Sequence, residues 1–323
     1  MLHLPFTAED VARTRFAPAP GPMLELTAAV AMLQGRDPLF GPWRRRTARV
    51  LPRAAHPLFE LVPKTLRGPL FLDPVSLGFE DGLDLVLSTP VTAARDELHK
   101  VMTDRARITP WVRALEDHDR QTWRELRDAL VSGYQVLLAA HWPQIRACYQ
   151  AELELRGRQW AVAGVGAVLT TIHPGTRWDG SVLHIPIESH LRIDLGGRGV
   201  TLMPSVFWRG RPLFTWHPDG SRVIVYPAAT PLPLAIPAGQ DQGPQSGRSS
   251  VVALLGGNRA GVLSASVSAS TTTELARAAG ISLASASEHA TILRNAGLIT
   301  TRREGRRVAH TVTWLGQQLL AGG

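Results

Sequence analysis

The last quarter of the chain alternates hydrophobic and polar positions with two different periods. Apolar residues first recur three and four positions apart, which is the spacing of one face of a helix. These positions are Leu275, Ala276 and Ala279 on a first segment, and Ala286, Ala290 and Leu293 on a second. Val308, His310 and Val312 then alternate with polar or small residues, which is the period of a β-strand. The pattern therefore predicts two short helices followed by a hairpin.

The residues between these segments supply a turn and the ends of two helices. Gly280 can adopt the left-handed conformation that ends a helix, and Ile281 is predicted to plug the space between the helices. Ser282 is a favourable N-cap, with Ser285 at the position of a capping box. Gly297 is predicted to end the second helix. This order of elements is typical of a winged helix-turn-helix.

Polar residues on the second helix and arginines on the hairpin predict contacts with DNA. The N-terminal half of such a helix reads base edges in the major groove, and the candidates are Ser285, Ser287, Glu288 and His289. Arg294 is expected to anchor a phosphate. The arginines expected to hold the DNA backbone or the minor groove are Arg302, Arg303, Arg306 and Arg307.

Positive charge is concentrated in the same part of the chain. Residues 249–323 contain seven Arg, no Lys and three Glu, so they carry +4 of the net +8 of the whole chain. A basic patch on a small fold is typical of phosphate binding. A solvated basic turn would give the same arginine cluster, but it would not explain the adjoining helix-turn-helix pattern.

Residues 250–323 resemble the ArsR-type winged-helix regulators of bacteria. The matching stretches are Gly280-Ile281-Ser282 through His289, Leu293-Arg294-Asn295-Ala296-Gly297-Leu298, and the arginine hairpin. The resemblance implies a homodimer that binds operator DNA and represses transcription until a signal releases it. Arg277 and Ala278 stand where metal-sensing members carry a Cys-x-Cys pair, and Glu288 stands where Arg or Lys is more usual. The resemblance therefore implies no metal sensing and no particular base preference.

The first 235 residues are expected to form a separate effector domain, which is mainly helical and gives the chain an α+β fold class. A linker is predicted at 236–249, because a proline-rich stretch is followed there by Gly, Gln and Ser. The winged helix then covers 250–323. Predicted helices begin after a Thr7 cap and cover Pro22–Gln34, 38–50, Phe79–Leu87, 92–104, 115–141, a segment opened by Pro143, and 160–172. The last segment is apolar nearly all round, so it is predicted to be the buried central helix.

From residue 180 the hydrophobic period changes to two. Strands are predicted at 182–187, 190–195, 200–208 and 222–226. Turns are predicted at 196–199 and 218–220, where Gly-rich and Pro-Asp-Gly sequences interrupt the pattern. The region is therefore expected to form an antiparallel β meander.

No motif in the sequence predicts catalysis, a bound metal or a cofactor. A Gly-x-x-x-x-Gly-Lys phosphate loop is lacking. His184, Glu188, His190 and His217 could together ligate a metal, but their spacing matches no standard site, which favours a structural role. Cys148 lies on an apolar stripe and is expected in the core. Release from DNA is therefore expected to be insensitive to zinc, chelators and thiol oxidants.

The distribution of the nine Trp residues bears on ligand binding, because eight of them precede residue 235. They could line an apolar cavity for a flat or hydrophobic organic inducer. Ordinary core packing would also explain them. An effector domain that binds an organic ligand or a protein partner is the expected source of the signal.

Length and composition are those expected of a cytoplasmic protein with two domains. The chain of 323 residues is longer than one winged-helix domain, so a second domain is expected. Its single cysteine cannot form an intrachain disulfide. No signal peptide is visible in residues 1–10, and the longest apolar stretch, 160–169, is too short to span a membrane. The expected function is a dimeric transcriptional repressor. The alternatives are an enzyme of unknown activity with an autoregulatory DNA-binding tail, and a winged helix that binds a partner protein.

Overall fold

The computed structural model divides the chain into two compact units, Met1–Leu234 and Ala235–Gly323. It describes residues 1–102, 108–187, 190–217, 219–229, 251–252, 254–267, 270–304 and 307–321. The predicted linker at 236–249 lies outside the described residues. Helices and three small sheets together give a mixed α and β fold, which agrees with the predicted α+β class.

The N-terminal unit is mainly helical. Its described α-helices are α1 (Ala8–Arg13), α2 (Pro22–Gln34), α3 (Gly41–Val50), α4 (Leu58–Leu61), α5 (Phe79–Leu87), α6 (Val91–Met102), α7 (Pro110–Glu116), α8 (Arg120–Leu137) and α9 (Trp142–Thr171). The predicted cap of α1 is confirmed, because the Asp10 N–H donates to Thr7 Oγ1 and the Thr7 N–H donates to the Asp10 carboxylate. Pro143 lies in the first turn of α9, as predicted.

Helix α2 is the buried central helix of this unit. Residues 22–32 are all buried, and the two polar side chains among them are satisfied. Glu25 accepts hydrogen bonds of 2.8–3.2 Å from groups of residues 205–207. The Thr27 hydroxyl donates to Asp73 at 2.6 Å. A helix that is apolar all round can be buried on every side once its few polar groups find partners.

Helix α9 reverses direction at Gly164, where φ is 77°. Arg156 on the first leg donates to Thr171 on the second leg at 2.6 Å, which an uninterrupted helix could not allow over fifteen residues. Val162 near the reversal is 88% exposed. The prediction that 160–172 is the buried central helix is therefore wrong, because apolar composition does not show where a glycine turns the chain outward.

The segment 115–141 does not form one helix, contrary to the prediction. Three residues separate α7 from α8, and the last of them, Asp119, is the N-cap of α8. Its carboxylate accepts the Thr122 N–H at 2.8 Å. His118, just before it, has a positive φ of 57°. A capping aspartate and a left-handed residue thus break a hydrophobic stripe that continues across them.

Two four-stranded sheets complete the N-terminal unit. Their strands are β1 (Leu2–Pro5), β2 (Arg15–Phe16), β3 (Arg177–Trp178), β4 (Val182–Ile185), β5 (Leu191–Arg192), β6 (Thr201–Ser205), β7 (Leu213–Trp216) and β8 (Arg222–Pro227). The first sheet has the order β3-β4-β1-β5, and the second has the order β2-β6-β8-β7.

The predicted antiparallel meander is therefore wrong. Strand β1 lies between β4 and β5 and pairs with the latter in parallel, and β6 pairs in parallel with both β2 and β8. The register joins residues far apart in sequence, such as His3 and His184. Short strands that pair with distant segments leave only a weak hydrophobic alternation in the local sequence. The order of the strands in the sheets could therefore not be predicted from the sequence.

The C-terminal unit contains a three-stranded sheet and four α-helices with defined bounds, and residues 251–252 and 254–255 are helical as well. The elements with defined bounds are α10 (Gly257–Ala265), α11 (Thr272–Ala279), α12 (Leu283–Asn295), α13 (Trp314–Ala321), β9 (Ser270–Thr271), β10 (Ile299–Glu304) and β11 (Arg307–Val312). The sheet order is β10-β11-β9, with both pairings antiparallel. Its own hydrophobic core includes Val262, Leu263, Leu275, Leu293 and Ile299.

Candidate nucleic-acid interface

A tight turn joins α11 to α12. Gly280 ends α11 in the left-handed conformation, with φ at 65° and ψ at 34°, as predicted. The Ile281 N–H donates to the Ala276 carbonyl at 3.0 Å, which satisfies a carbonyl at the end of the helix. Ile281 packs against the core of the unit. The glycine therefore lets α12 leave the turn in a fixed direction.

Two serines fix the start of α12. The Ser285 N–H donates to Ser282 Oγ at 3.1 Å, so the predicted N-cap is confirmed. The Ser282 hydroxyl in turn donates to Ser285 Oγ at 2.9 Å. Ser285 therefore contributes to the cap through its side chain as well as its backbone.

One face of α12 packs against the core and the opposite face is exposed. Ala286, Ala290 and Leu293 are buried, as predicted. The exposed residues of the helix are Leu283, Ala284, Ser287, Glu288, Thr291, Ile292, Arg294 and Asn295. The predicted contacts Ser287, Glu288 and Arg294 thus share an exposed face with Thr291, which the sequence analysis missed. Thr291 is four residues after Ser287, and that spacing could have indicated it.

The other two predicted helix contacts, Ser285 and His289, do not share this face. Both are half-buried, four residues apart along the border of the core. Nδ1 of His289 is buried and has no hydrogen-bond partner within the described part of the chain. Each side chain lies about 100° around the helix from its buried neighbour, which explains its intermediate exposure.

The hairpin after α12 brings arginine positions to its turn end. Arg302 pairs with Ala309, Arg303 with Val308, and Glu304 with Arg307. Arg306 lies outside the described residues, as do the side chains of Arg302, Arg303 and Arg307. The backbone register places these positions next to the turn of a two-stranded ribbon.

A buried histidine ties the hairpin to the start of α11. The His310 ring lies 3.1 Å from Thr272 Oγ1 through Nε2 and 3.0 Å from Thr301 Oγ1 through Nδ1. Burial lowers the pKa of His310, and the nearby charge of Arg294 acts in the same direction. The ring is therefore neutral near pH 7. Because Thr272 is 38 residues away, only the fold could reveal this contact.

Helix α11 begins with a capping box that the sequence analysis overlooked. The Thr271 hydroxyl accepts the Glu274 N–H at 3.4 Å, and the Glu274 carboxylate accepts the Thr271 N–H at 2.6 Å. The sequence Thr-x-x-Glu is the usual signature of this arrangement. It could have shown that the helix starts near residue 272.

A second candidate site is an apolar cavity of about 410 Å³ in the N-terminal unit. Of the eight Trp residues expected to provide such a cavity, Trp216 alone is among its lining residues. Others pack in the core, such as Trp43 against Phe207 and Trp123 against Phe71. The cavity walls are instead mainly aliphatic, so most of the tryptophans serve core packing.

Of the four residues considered as metal ligands, His184 and His217 belong to different sheet regions. His184 shares a hydrogen bond with His3 at 2.8 Å and lies 3.1 Å from Asp179. His217 follows β7 in the other sheet, and Glu188 lies outside the described residues. Among the residues that the structure describes, no group of three His, Cys, Asp or Glu side chains could hold a metal.

Within the described ranges, no helix combines the length and the apolar character needed to cross a membrane. Comparison with protein families, with curated proteins and with solved structures found no match to this chain.

Proposed function

We propose that this chain is a sequence-specific DNA-binding transcriptional regulator of the winged helix-turn-helix class, acting as a dimeric repressor. The observation that carries the proposal is the exposed polar face of α12. It presents Ser287, Glu288, Thr291 and Arg294 on a helix whose opposite face is anchored in a hydrophobic core. The hairpin with four arginines follows directly.

These elements match the two kinds of contact that DNA binding requires. A helix in the major groove specifies sequence through side chains that reach base edges. Ser287 can donate to or accept from several bases, whereas the Glu288 carboxylate accepts from the cytosine amino group. Arg294 and the hairpin arginines supply positive charge for phosphates, which sets affinity and register. The small Ala284 leaves room for α12 to lie close to the DNA backbone.

A second copy of the chain is the partner that we expect for the C-terminal unit. A groove of about 480 Å³ lies beside α10 and includes Val252, Gly261 and Leu320. Val252 and, close to it in sequence, Leu254 are 42% and 69% exposed. Burial of such apolar surface would stabilise a dimer, and Leu254→Glu should shift the protein toward monomer in sedimentation experiments.

The N-terminal unit is the proposed source of the signal. An effector that binds the DNA-free state more tightly lowers DNA affinity by the ratio of its two affinities. A cavity of the size described can hold a small organic molecule. Arg277 and Ala278 stand where a Cys-x-Cys pair would provide thiolate ligands. We therefore do not expect a metal ion to act as the signal through α11.

Selection from random double-stranded DNA tests the proposal. Purified full-length protein should enrich one sequence, with two half-sites related by symmetry if a dimer binds. The Ser287→Ala and Glu288→Gln double variant should lose or change that enrichment. Enrichment of no sequence, with retention of an acidic partner protein instead, would favour the protein-interaction alternative.

One observation favours the enzyme alternative enough to test it. Burial raises the pKa of Asp73 to about 7, and this residue lines the cavity of the N-terminal unit. A carboxyl group with such a pKa can serve as a general acid or base. If an activity is found, Asp73→Asn should abolish turnover while DNA binding stays intact.

A further inference from the structure

The cavity of the N-terminal unit is built from several elements that converge around one space. Its apolar walls include Leu24 of α2, Leu66 and Val75 of the segment before α5, and Leu191, Met203 and Phe214 of the two sheets. The volume of about 410 Å³ lies within the range of small-molecule sites, which are apolar with a few placed polar groups.

Asp73 is the acidic group of this cavity. Thr27 donates to its Oδ1 at 2.6 Å, which occupies one of the two carboxyl oxygens. Burial raises the pKa of Asp73 to about 7, and the negative charge of Glu97 acts in the same direction. Glu97 itself has a raised pKa through burial and accepts the Phe71 N–H at 2.6 Å. Asp73 is therefore the acidic residue that lines this apolar space, and Glu97 lies near enough to Asp73 to raise its pKa further.

The other charged and titratable groups near the cavity do not neutralise Asp73. Burial lowers the pKa of His217, so its ring is neutral near pH 7, and the ring lies 3.1 Å from the Thr215 hydroxyl. Arg67 is an exposed residue of the lining. The guanidinium of Arg222 lies 4.5 Å from the centre of the Trp216 ring. The raised pKa of Asp73 is the expected result of burial without a close counter-ion.

This arrangement selects among ligands by charge. An anionic ligand would meet the carboxylate of Asp73, and a purely apolar ligand would leave the second oxygen of Asp73 without a hydrogen-bond donor. A ligand ammonium group would supply the missing positive charge and a donor for that oxygen. We infer that the cavity binds an apolar molecule carrying one basic amine, whose ammonium group donates to Asp73 Oδ2.

Calorimetry on the full-length protein without DNA tests this inference. The probes are 4-phenylbutylamine, 4-phenylbutanol and 4-phenylbutyrate, which share one hydrocarbon skeleton. At pH 8 the amine should bind at least tenfold more tightly than the alcohol, and the carboxylate should bind weakest. Below pH 7 amine affinity should fall by up to about tenfold per pH unit, because Asp73 must give up its proton to pair with the ammonium.

Two variants separate this inference from a general structural effect. Asp73→Asn should remove the preference for the amine while alcohol binding remains, and Asp81→Asn, at an exposed aspartate, should change neither. Val75→Trp should weaken all three probes by filling the cavity from an exposed position. Equal affinities for amine and alcohol, tighter binding of the carboxylate, or an amine preference that survives Asp73→Asn would overturn the inference.

The inference goes beyond the proposed function and can fail separately from it. Amine binding is measured without DNA, so a failed DNA selection leaves this result unaffected. If the protein is a ligand-released repressor, the amine should also lower DNA affinity, and DNA should lower amine affinity by the same factor. If the amine binds but DNA affinity stays unchanged, the assignment of the cavity as an amine site is supported. The proposed coupling between ligand binding and DNA release is then contradicted.

Discussion

Nδ1 of His310 lies 3.0 Å from Thr301 Oγ1 across the C-terminal hairpin. The other ring nitrogen contacts Thr272 at the start of α11. One buried side chain thus links both strands of the hairpin to the first turn of α11. These contacts hold the hairpin against the start of α11.

We predict that His310→Ala destabilises the C-terminal unit by about 1–3 kcal/mol, because two half-buried hydroxyls lose a hydrogen-bond partner. Stability should also depend on pH. The pKa of His310 is lower in the folded unit than in the unfolded chain. Below about pH 6.5 the unfolded chain therefore binds a proton at this residue more readily than the folded unit does, so the free energy of unfolding decreases as the pH falls. Denaturant unfolding at pH 7.5 and 5.5 checks both points. Thr311→Ala, at an exposed position of the same strand, is the control.

Two ion pairs on α9 provide a matched test of burial. Glu152 and Arg156 pair at 2.7 Å with almost no exposed side-chain surface, whereas Glu154 and Arg158 pair at 3.7 Å with most of their surface exposed. Glu152→Ala leaves a buried guanidinium without its counter-ion and should cost about 3–5 kcal/mol of unfolding free energy. Glu154→Ala should cause little measurable loss. Similar losses in both variants would show that burial of the first pair is not maintained in solution.

The salt dependence of DNA binding tests the hairpin arginines. Arg303→Ala with Arg306→Ala would remove the four phosphate contacts that we propose for a dimer. Each contact contributes about 0.9 to the slope of log K against log salt. The slope should therefore flatten by roughly 3–4 units. Arg49→Ala with Arg53→Ala removes the same charge from exposed positions of the N-terminal unit and should leave the slope nearly unchanged. An unaltered slope in the hairpin variant would place those arginines away from DNA.

Ser287 tests whether α12 reads base edges. Ser287→Ala should weaken binding to the selected site by about 1–3 kcal/mol and leave non-specific binding nearly intact. Ser88→Ala, at an exposed position of the N-terminal unit, should change neither affinity. Equal losses on the selected and shuffled sequences would mean that the helix positions the protein without reading bases.

Local signals explain the parts of the fold that were predicted correctly. Pro22–Gln34 and Phe79–Leu87 have the bounds that the sequence indicated, and Gly280 and Ser282 form the turn and cap expected of them. Proline, glycine and capping serines act on their immediate neighbours, so their effect is visible in a short stretch of sequence.

Long-range relationships explain the parts that were not predicted. The apolar stretch 160–172 has the composition of a buried helix, yet Gly164 reverses it and leaves Val162 exposed, whereas α2 occupies the centre. The parallel pairing of β6 with β8 depends on packing rather than on local alternation. Asp73 and the cavity it lines could not be found either, because the lining residues come from many separate segments.

Sequence preference is the central claim, and the ratio of two dissociation constants measures it most directly. The full-length protein is titrated at one salt concentration with its selected site and with a shuffled sequence of the same composition. We expect the selected site to bind at least about a thousandfold more tightly, which is the range of specific regulators. A ratio near one would contradict the account, because α12 would then contribute no base recognition.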